Sequence, residues 1–274
     1  MSRTARCEVF DPEEVAIAHV YTRVCRRCFL LGDDPVSGKN FDHRKVWIEE
    51  YLQQFAAYFG IDLVGFAILS NHFHLILRSR PDVVATWTDE EVARRWLMLC
   101  PHRRQADGTP MTPTDPEIQS IAGCPIKREE TRKRLSSFSW WMRLLCQRVA
   151  MRANREDEQT GRFFQDRYHA TRLADGASLL ACAAYVDLNP IRAAMAETLE
   201  GSDHTSVQRR IEGLAGEACV SSDAVGDASG GGGEAHDGRS HRSTIVARRL
   251  RPSELIRAGC LRRAEPICDE IVWR

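Results

Sequence analysis

No run of the sequence approaches the ~18–20 consecutive apolar residues that a membrane-spanning helix takes, so no helical span is expected. An excess of either charge is missing as well: Lys+Arg and Asp+Glu both number 38. That excludes a uniformly basic, DNA-coating protein while leaving room for a local basic face. A P-loop and a GxGxxG turn are absent, which argues against an ATPase and a dinucleotide oxidoreductase; a serine nucleophile elbow is missing too. The opening residues Met1-Ser2-Arg3-Thr4-Ala5-Arg6 lead into acidic positions rather than an apolar segment, so no secretory leader is expected. The ten cysteines are scattered through a chain too long to need staples and read as reduced thiols of a cytoplasmic protein.

Composition divides the chain. Residues 1–205 read as a packed domain. Residues 206–243 read as a flexible linker, with Gly, Ser, Asp and Ala taking over from Gly213 around the run Gly230-Gly231-Gly232-Gly233. Residues 244–274 form a short basic tail. Within the domain, Ala16–Val24 has the β-branched and aromatic content of a strand. Ile48, Leu52, Phe55 and Phe59 recur at helical spacing after Asp42 and stop at Gly60. Ile61–Leu69 and His72–Ser79 follow as an antiparallel hairpin turning at Ser70-Asn71. Thr88 with Glu91 opens a second helix in the manner of a capping box. Residues 101–125 are Pro-rich and irregular, one long helix is expected over Arg132–Asn154, and Phe163–Leu173 is extended. A last helix starts near Ala177 and meets Pro190.

Four features carry chemistry. His72 and His74, two apart on a strand, share a face and suit a divalent metal; the plain alternative is two unrelated histidines on a solvated face. Tyr185 lies one turn before Asn189; its plain alternative is an aromatic packing with Ala181 and Leu188. Between Lys127 and Arg155 nine basic residues, among them Arg132, Lys133, Arg134, Arg143 and Arg148, face only Glu129 and Glu130. Phe138, Trp140 and Trp141 are interleaved with them, as base stacking would require; otherwise this is a solvated face over core tryptophans. Cys25-Arg26-Arg27-Cys28 is half of a zinc motif, without the second pair that a structural site takes.

Two longer segments join these features. Val64–Arg78, VGFAILSNHFHLILR, and Gly161–Met195, GRFFQDRYHATRLADGASLLACAAYVDLNPIRAAM, resemble in order and spacing the two motif blocks of the single-tyrosine HUH transposases. These are the insertion-sequence-200-like enzymes and their REP-associated relatives. The resemblance covers roughly residues 15–200. Ser70 stands where relatives often carry Pro, and residues 80–131 form a longer insertion than compact members have. The resemblance implies an α+β, ferredoxin-like or RRM-like fold, an antiparallel sheet with packed helices. It implies His72, His74 and Asn189 as ligands of Mg²⁺ or Mn²⁺, and Tyr185 as the nucleophile, assisted by the two histidines. Tyr168 belongs to the Arg-Tyr stretch of the second block and is not the matched nucleophile.

The activity so implied is DNA transposition, with cleavage and rejoining of single-stranded DNA through a 5′-phosphotyrosine. The expected partner is single-stranded DNA with hairpin-forming repeats, held by Arg132, Lys133, Arg134, Arg143, Arg148 and Arg167. A homodimer is allowed, a membrane partner is not, and the DNA-bound protein would be nucleoid-associated. Two alternatives stay open: a non-catalytic DNA-binding or regulatory protein on the same fold, and an unrelated metallohydrolase using the two histidines.

Overall fold

The structure, a computed structural model, describes residues 10–25 and 29–213. The postulated tail over 244–274, the glycine run and Cys28 of the CxxC pair lie outside the described residues.

Alternation decides the sheet. In β1 (Ala16–Arg23) Ala16, Ala18, Val20 and Thr22 are buried while Ile17, His19 and Tyr21 are half-buried, the two-residue period of a strand with two different faces. β1 pairs antiparallel with β5 (His72–Ser79) on one side and β6 (His169–Leu173) on the other. β4 (Ile61–Ile68) completes the order β4-β5-β1-β6. A short ribbon of β2 (Asp33–Asp34) and β3 (Lys39–Asn40) precedes α1 (His43–Tyr58). With α1 between β1 and β4, and α6 (Phe138–Glu156) between β5 and β6, this is the expected α+β fold in ferredoxin-like order.

The two helices cover one face. Ile48, Leu52 and Phe55 from α1 and Trp141, Met142, Leu145 and Val149 from α6 join Ala18, Val20, Phe73, Leu75 and Leu77 in the main core. Trp141 packs edge-on to Phe55 at 5.3 Å between ring centroids, a favourable geometry for aromatic quadrupoles. Asp42 precedes α1 but makes no capping bond; its carboxylate pairs with Lys45 at 2.7 Å instead. That helix ends in the extended C-cap Phe59, and Gly60 follows for a packing reason: a Cβ there would come within 2.0 Å of the Val84 side chain, so the close approach of the insertion requires glycine.

The insertion has the helix expected after Thr88, whose side chain accepts from the Glu91 N–H, and a further helix inside the stretch 101–125 that the sequence suggested to be irregular. α2 (Pro81–Ala85) and α3 (Asp89–Leu99) are followed by α4 (Asp115–Ala122) within the Pro-rich stretch, then α5 (Pro125–Leu135). Thr114 and Glu117 cap α4 reciprocally, and Ala93, Leu97, Ile118 and Ala122 make a small core of their own. The expected single helix over Arg132–Asn154 is two, α5 and α6, broken at Ser136-Ser137. There Gly60 donates its backbone N–H to the Leu135 carbonyl at 2.8 Å.

The opposite sheet face is covered by α7 (Gly176–Asp187), which leads through Leu188 into the short α8 (Asn189–Arg192). Leu179, Cys182, Ala183 and Val186, at helical spacing, pack with Ala67, Leu69 and Ile76. The packed region continues beyond residue 205, where a linker was expected. Residues 206–213 are helical. Ser206 binds the Phe66 backbone, Arg210 pairs with Asp187, and Arg209 pairs with the buried Glu49. Among the described residues no helix is long and apolar enough to cross a membrane, and Cys25, Cys100, Cys124, Cys146 and Cys182 are free thiols.

Candidate active site

The site lies on the α7 face of the sheet and follows from register. Strand alternation turns His19, Tyr21 and Arg23 of β1, and His72 and His74 of β5, to the face away from α1 and α6. Pairing sets Tyr21 opposite His74 and Arg23 opposite His72, and on the other side Tyr21 opposite His169. The Tyr21 and His169 rings stack at 4.6 Å, and Tyr21 lies 5.6 Å from His74.

α7 supplies the tyrosine. Its start is fixed by a capping box in which Asp175 accepts from the Ser178 backbone N–H at 2.7 Å. Its apolar face then packs on the sheet, leaving Tyr185 on the flank, 39% exposed rather than in the core. The phenol ring stands edge-on to His74 at 5.6 Å and to His19 at 6.0 Å. The guanidinium of Arg192 lies 5.3 Å from the Tyr185 ring centroid on the α8 side. These side chains enclose a cleft of about 500 Å³ lined by His19, Tyr21, Arg23, His72, His74, Leu173, Cys182 and Tyr185.

The imidazoles are neutral. Burial, helped by the charge of Arg23, lowers His72 to about 4. Burial first, then His72, His19 and Arg23, lowers His74 to about 3. Burial lowers His19 also. A neutral imidazole has one donor and one acceptor. His72 Nδ1 is 2.6 Å from Asn71 Oδ1; an amide oxygen only accepts, so the proton is on Nδ1 and the Nε2 lone pair is free. His74 Nδ1 is 2.9 Å from His19 Nε2, while His74 Nε2 is buried without a partner. A proton on Nδ1, donated to His19, leaves a bare lone pair at Nε2. Two such lone pairs fit a divalent cation, and a hydrogen-bonded Nδ1 is the usual support for a ligating imidazole. Among the described residues no group of three His, Cys, Asp or Glu could hold a metal, so a third protein donor has to be of another type.

The other sequence candidates distribute differently. Asn189 is buried with its amide nitrogen unpartnered, but it does not line the cleft. Tyr168 is buried against Ser139, oxygen to oxygen 3.0 Å. The basic residues do not form one surface. Arg132 donates to the Val84 and Trp87 carbonyls and pairs with Asp89 at 3.1 Å. Arg148 donates to Gln54 and to the Leu99 carbonyl. Lys133 pairs with Glu129, and Arg134 with Glu130. Arg143 and Arg167 are exposed. Trp141 and Phe138 are core residues and offer no face to a base; Trp140 packs against Trp96 at 5.5 Å. α6 also covers the sheet face opposite the cleft. His19 was not singled out from the sequence; its only signal there is its place two residues before Tyr21 in a strand of alternating pattern.

No family model matches the chain, and no curated protein matches it. Among solved structures it is similar to a REP-associated tyrosine transposase bound to a REP hairpin, with 11% sequence identity and a TM-score of 0.44, over 89% of this chain and 100% of that one.

Proposed function

We propose that the protein is a metal-dependent DNA strand transferase, a transposase acting on single-stranded DNA through Tyr185. The observation that carries the reading is the edge-on approach of Tyr185 to His74 at 5.6 Å in a cleft whose histidines are neutral and lone-pair-bearing. The two motif blocks that resemble the single-tyrosine HUH family contribute those groups from distant parts of the chain.

In this reading His72 and His74 would hold Mg²⁺ or Mn²⁺, with Asn189, which the family resemblance implies, as third donor through its Oδ1. A cation held there would supply Lewis-acid polarisation of a non-bridging phosphate oxygen. Tyr185 Oη loses its proton to solvent and attacks phosphorus. The new Oη–P bond forms as the P–O3′ bond breaks, giving a 5′-phosphotyrosine and a 3′-hydroxyl that takes up a proton. Because one phosphodiester replaces another, rejoining needs no nucleotide hydrolysis, in keeping with the missing P-loop. In this reading His19 accepts from His74 Nδ1 and so holds the tautomer that leaves a lone pair on His74 Nε2. The partly exposed phenol reaches a backbone that is not sheathed in a duplex.

The test is a covalent-adduct assay with labelled single-stranded hairpin oligonucleotides and Mn²⁺ or Mg²⁺, read on a denaturing gel. A metal-dependent, heat-stable protein–DNA band that is lost in Tyr185→Phe and in His72→Ala is expected. A band that survives Tyr185→Phe moves the nucleophile elsewhere. DNA binding with no band on any oligonucleotide overturns the enzymatic reading.

A further inference from the structure

Among the described residues that line the cleft, Arg23 alone carries a permanent charge, and none is a carboxylate: beside Arg23 they present three imidazoles, two phenols, Leu173 and Cys182. Among the described residues the Arg23 guanidinium has no ion pair, side-chain hydrogen bond or aromatic partner. The main chain beneath it is fixed, its carbonyl accepting from the Gln165 N–H at 2.9 Å and its Cα paired with that of His72. Arg78, further along the sheet on the same face of β5, shows the usual fate of such a group: it is locked to Asp62 at 2.6 Å. Arg80, Arg95 and Arg172 likewise have carboxylates. An unneutralised guanidinium beside neutral polar groups in a concave site raises the local anion concentration, and its planar fork suits two oxygens of one phosphate.

From this we infer that Arg23 forms a phosphate subsite beside the histidine pair, binding the backbone phosphate next to the one presented to Tyr185. The offset follows from register. Tyr185 stands over the His74–His19 part of the sheet, and Arg23 is opposite His72, one two-residue strand repeat away, about 6.6–6.8 Å. That is on the scale of one nucleotide of extended strand. The inference rests on the strand-transfer reading for the identity of the polymer, while the chemistry of the subsite, an anion with two or more phosphate oxygens, is fixed by Arg23 itself.

The experiment compares the wild type with Arg23→Ala, Arg23→Lys and, as a charge-matched surface control on α3, Arg94→Ala. Binding of a labelled single-stranded oligonucleotide is followed by anisotropy with chelator present, across a salt series. Inorganic pyrophosphate binding is followed in parallel through the histidine ring NMR signals. Arg23→Ala is expected to weaken oligonucleotide binding about tenfold and to make the salt dependence shallower by about one ion. Arg23→Lys is expected to recover part of the affinity, and Arg94→Ala to behave as the wild type. Pyrophosphate should shift the His72 signal in the wild type and not in Arg23→Ala. Unchanged affinity and salt dependence in Arg23→Ala overturn the subsite even when the adduct forms normally. If the wild type binds no oligonucleotide and forms no adduct, strand transfer fails, and pyrophosphate decides the subsite alone: a His72 shift that needs Arg23 upholds it, and no shift, or one that persists in Arg23→Ala, removes it.

Discussion

The two faces of the sheet are built from the same strands and do opposite work. On the α1/α6 face, β1 and β5 present Ala18, Val20, Phe73, Leu75 and Leu77, all fully buried. On the α7 face the intervening positions are His19, Tyr21, Arg23, His72 and His74 around an open cleft. Adjacent residues therefore answer to different requirements. The first face is a dry core where volume decides stability. The second is a polar recess whose imidazoles stay neutral because they are buried, and in which, among the described residues, His74 Nε2 has no partner. Only the far end of that second face, where Ile76, Ala67 and Val186 meet, is packed as core, and this anchors α7 so that Tyr185 is held without being buried.

The contrast is sharpest between neighbours in sequence. Phe73→Ala should destabilise the fold by about 3–5 kcal/mol, seen as a lowered urea midpoint. His72→Ala should leave that midpoint nearly unmoved while reducing metal-dependent adduct formation by more than about 100-fold. A large stability loss in His72→Ala would erase the division between the faces. His19→Ala should lower adduct formation and Mn²⁺ affinity by about 10–100-fold, the usual effect of removing the partner of a ligating imidazole. His19→Gln, whose side-chain oxygen can accept from His74 Nδ1, should recover part of both. Equal losses in the two variants would mean that His19 acts by packing alone.

Glu49 tests the electrostatics of the other face. Its burial raises the carboxyl pKa, but the His204 hydrogen bond and the Arg209 charge outweigh this and hold it below the ordinary value of 4.5. The folded state then binds fewer protons than the unfolded state just below pH 4.5. Its stabilisation is complete above that pH and is lost as pH falls through the folded value. Glu49→Gln should cost about 1.5–3 kcal/mol at neutral pH and flatten the acid limb of a stability–pH curve measured by urea unfolding. The smallest effect belongs to Arg143, exposed above Trp140 at 4.7 Å: Arg143→Ala should shift stability by no more than about 0.5 kcal/mol in the same titration.

Period-2 and period-3.6 patterns made the strands and α1 legible, because each has one face in a core. His72 and His74 could be placed on one face for the same reason. What stayed hidden was set by tertiary contact. The break at Ser136-Ser137 comes where α5 gives way to the core-facing Phe138 and has no glycine or proline to announce it. α4 was masked by the prolines around it, although Pro116 stands in the first turn, where proline is tolerated. His19 is distinguished from any other strand residue only by the register that brings it to His74. The local excess of Arg and Lys was read as a surface, yet Arg132 and Arg148 spend their donors on carbonyls inside the fold, because loop and helix-end carbonyls need partners when buried. Ser206, Arg209 and Arg210 were read as the start of a linker, but they bind the Phe66 main chain of β4, Glu49 of α1 and Asp187 of α7, contacts that no local pattern encodes.

Those last contacts have a consequence for how copies of the chain can meet. The Ile68 N–H donates to the His204 carbonyl and Ala67 bridges to Thr205, so the last residues of the outer rim of β4 are already occupied by the protein's own backbone. β4 and β6 are the two edge strands of the sheet. Lengthening of the sheet across molecules, whether an orderly twofold dimer or an unwanted edge-to-edge aggregate, is thereby hindered at the Ile68 end of β4, and at the other edge it meets the five-residue β6 that carries Arg172 and, through Leu173, borders the cleft.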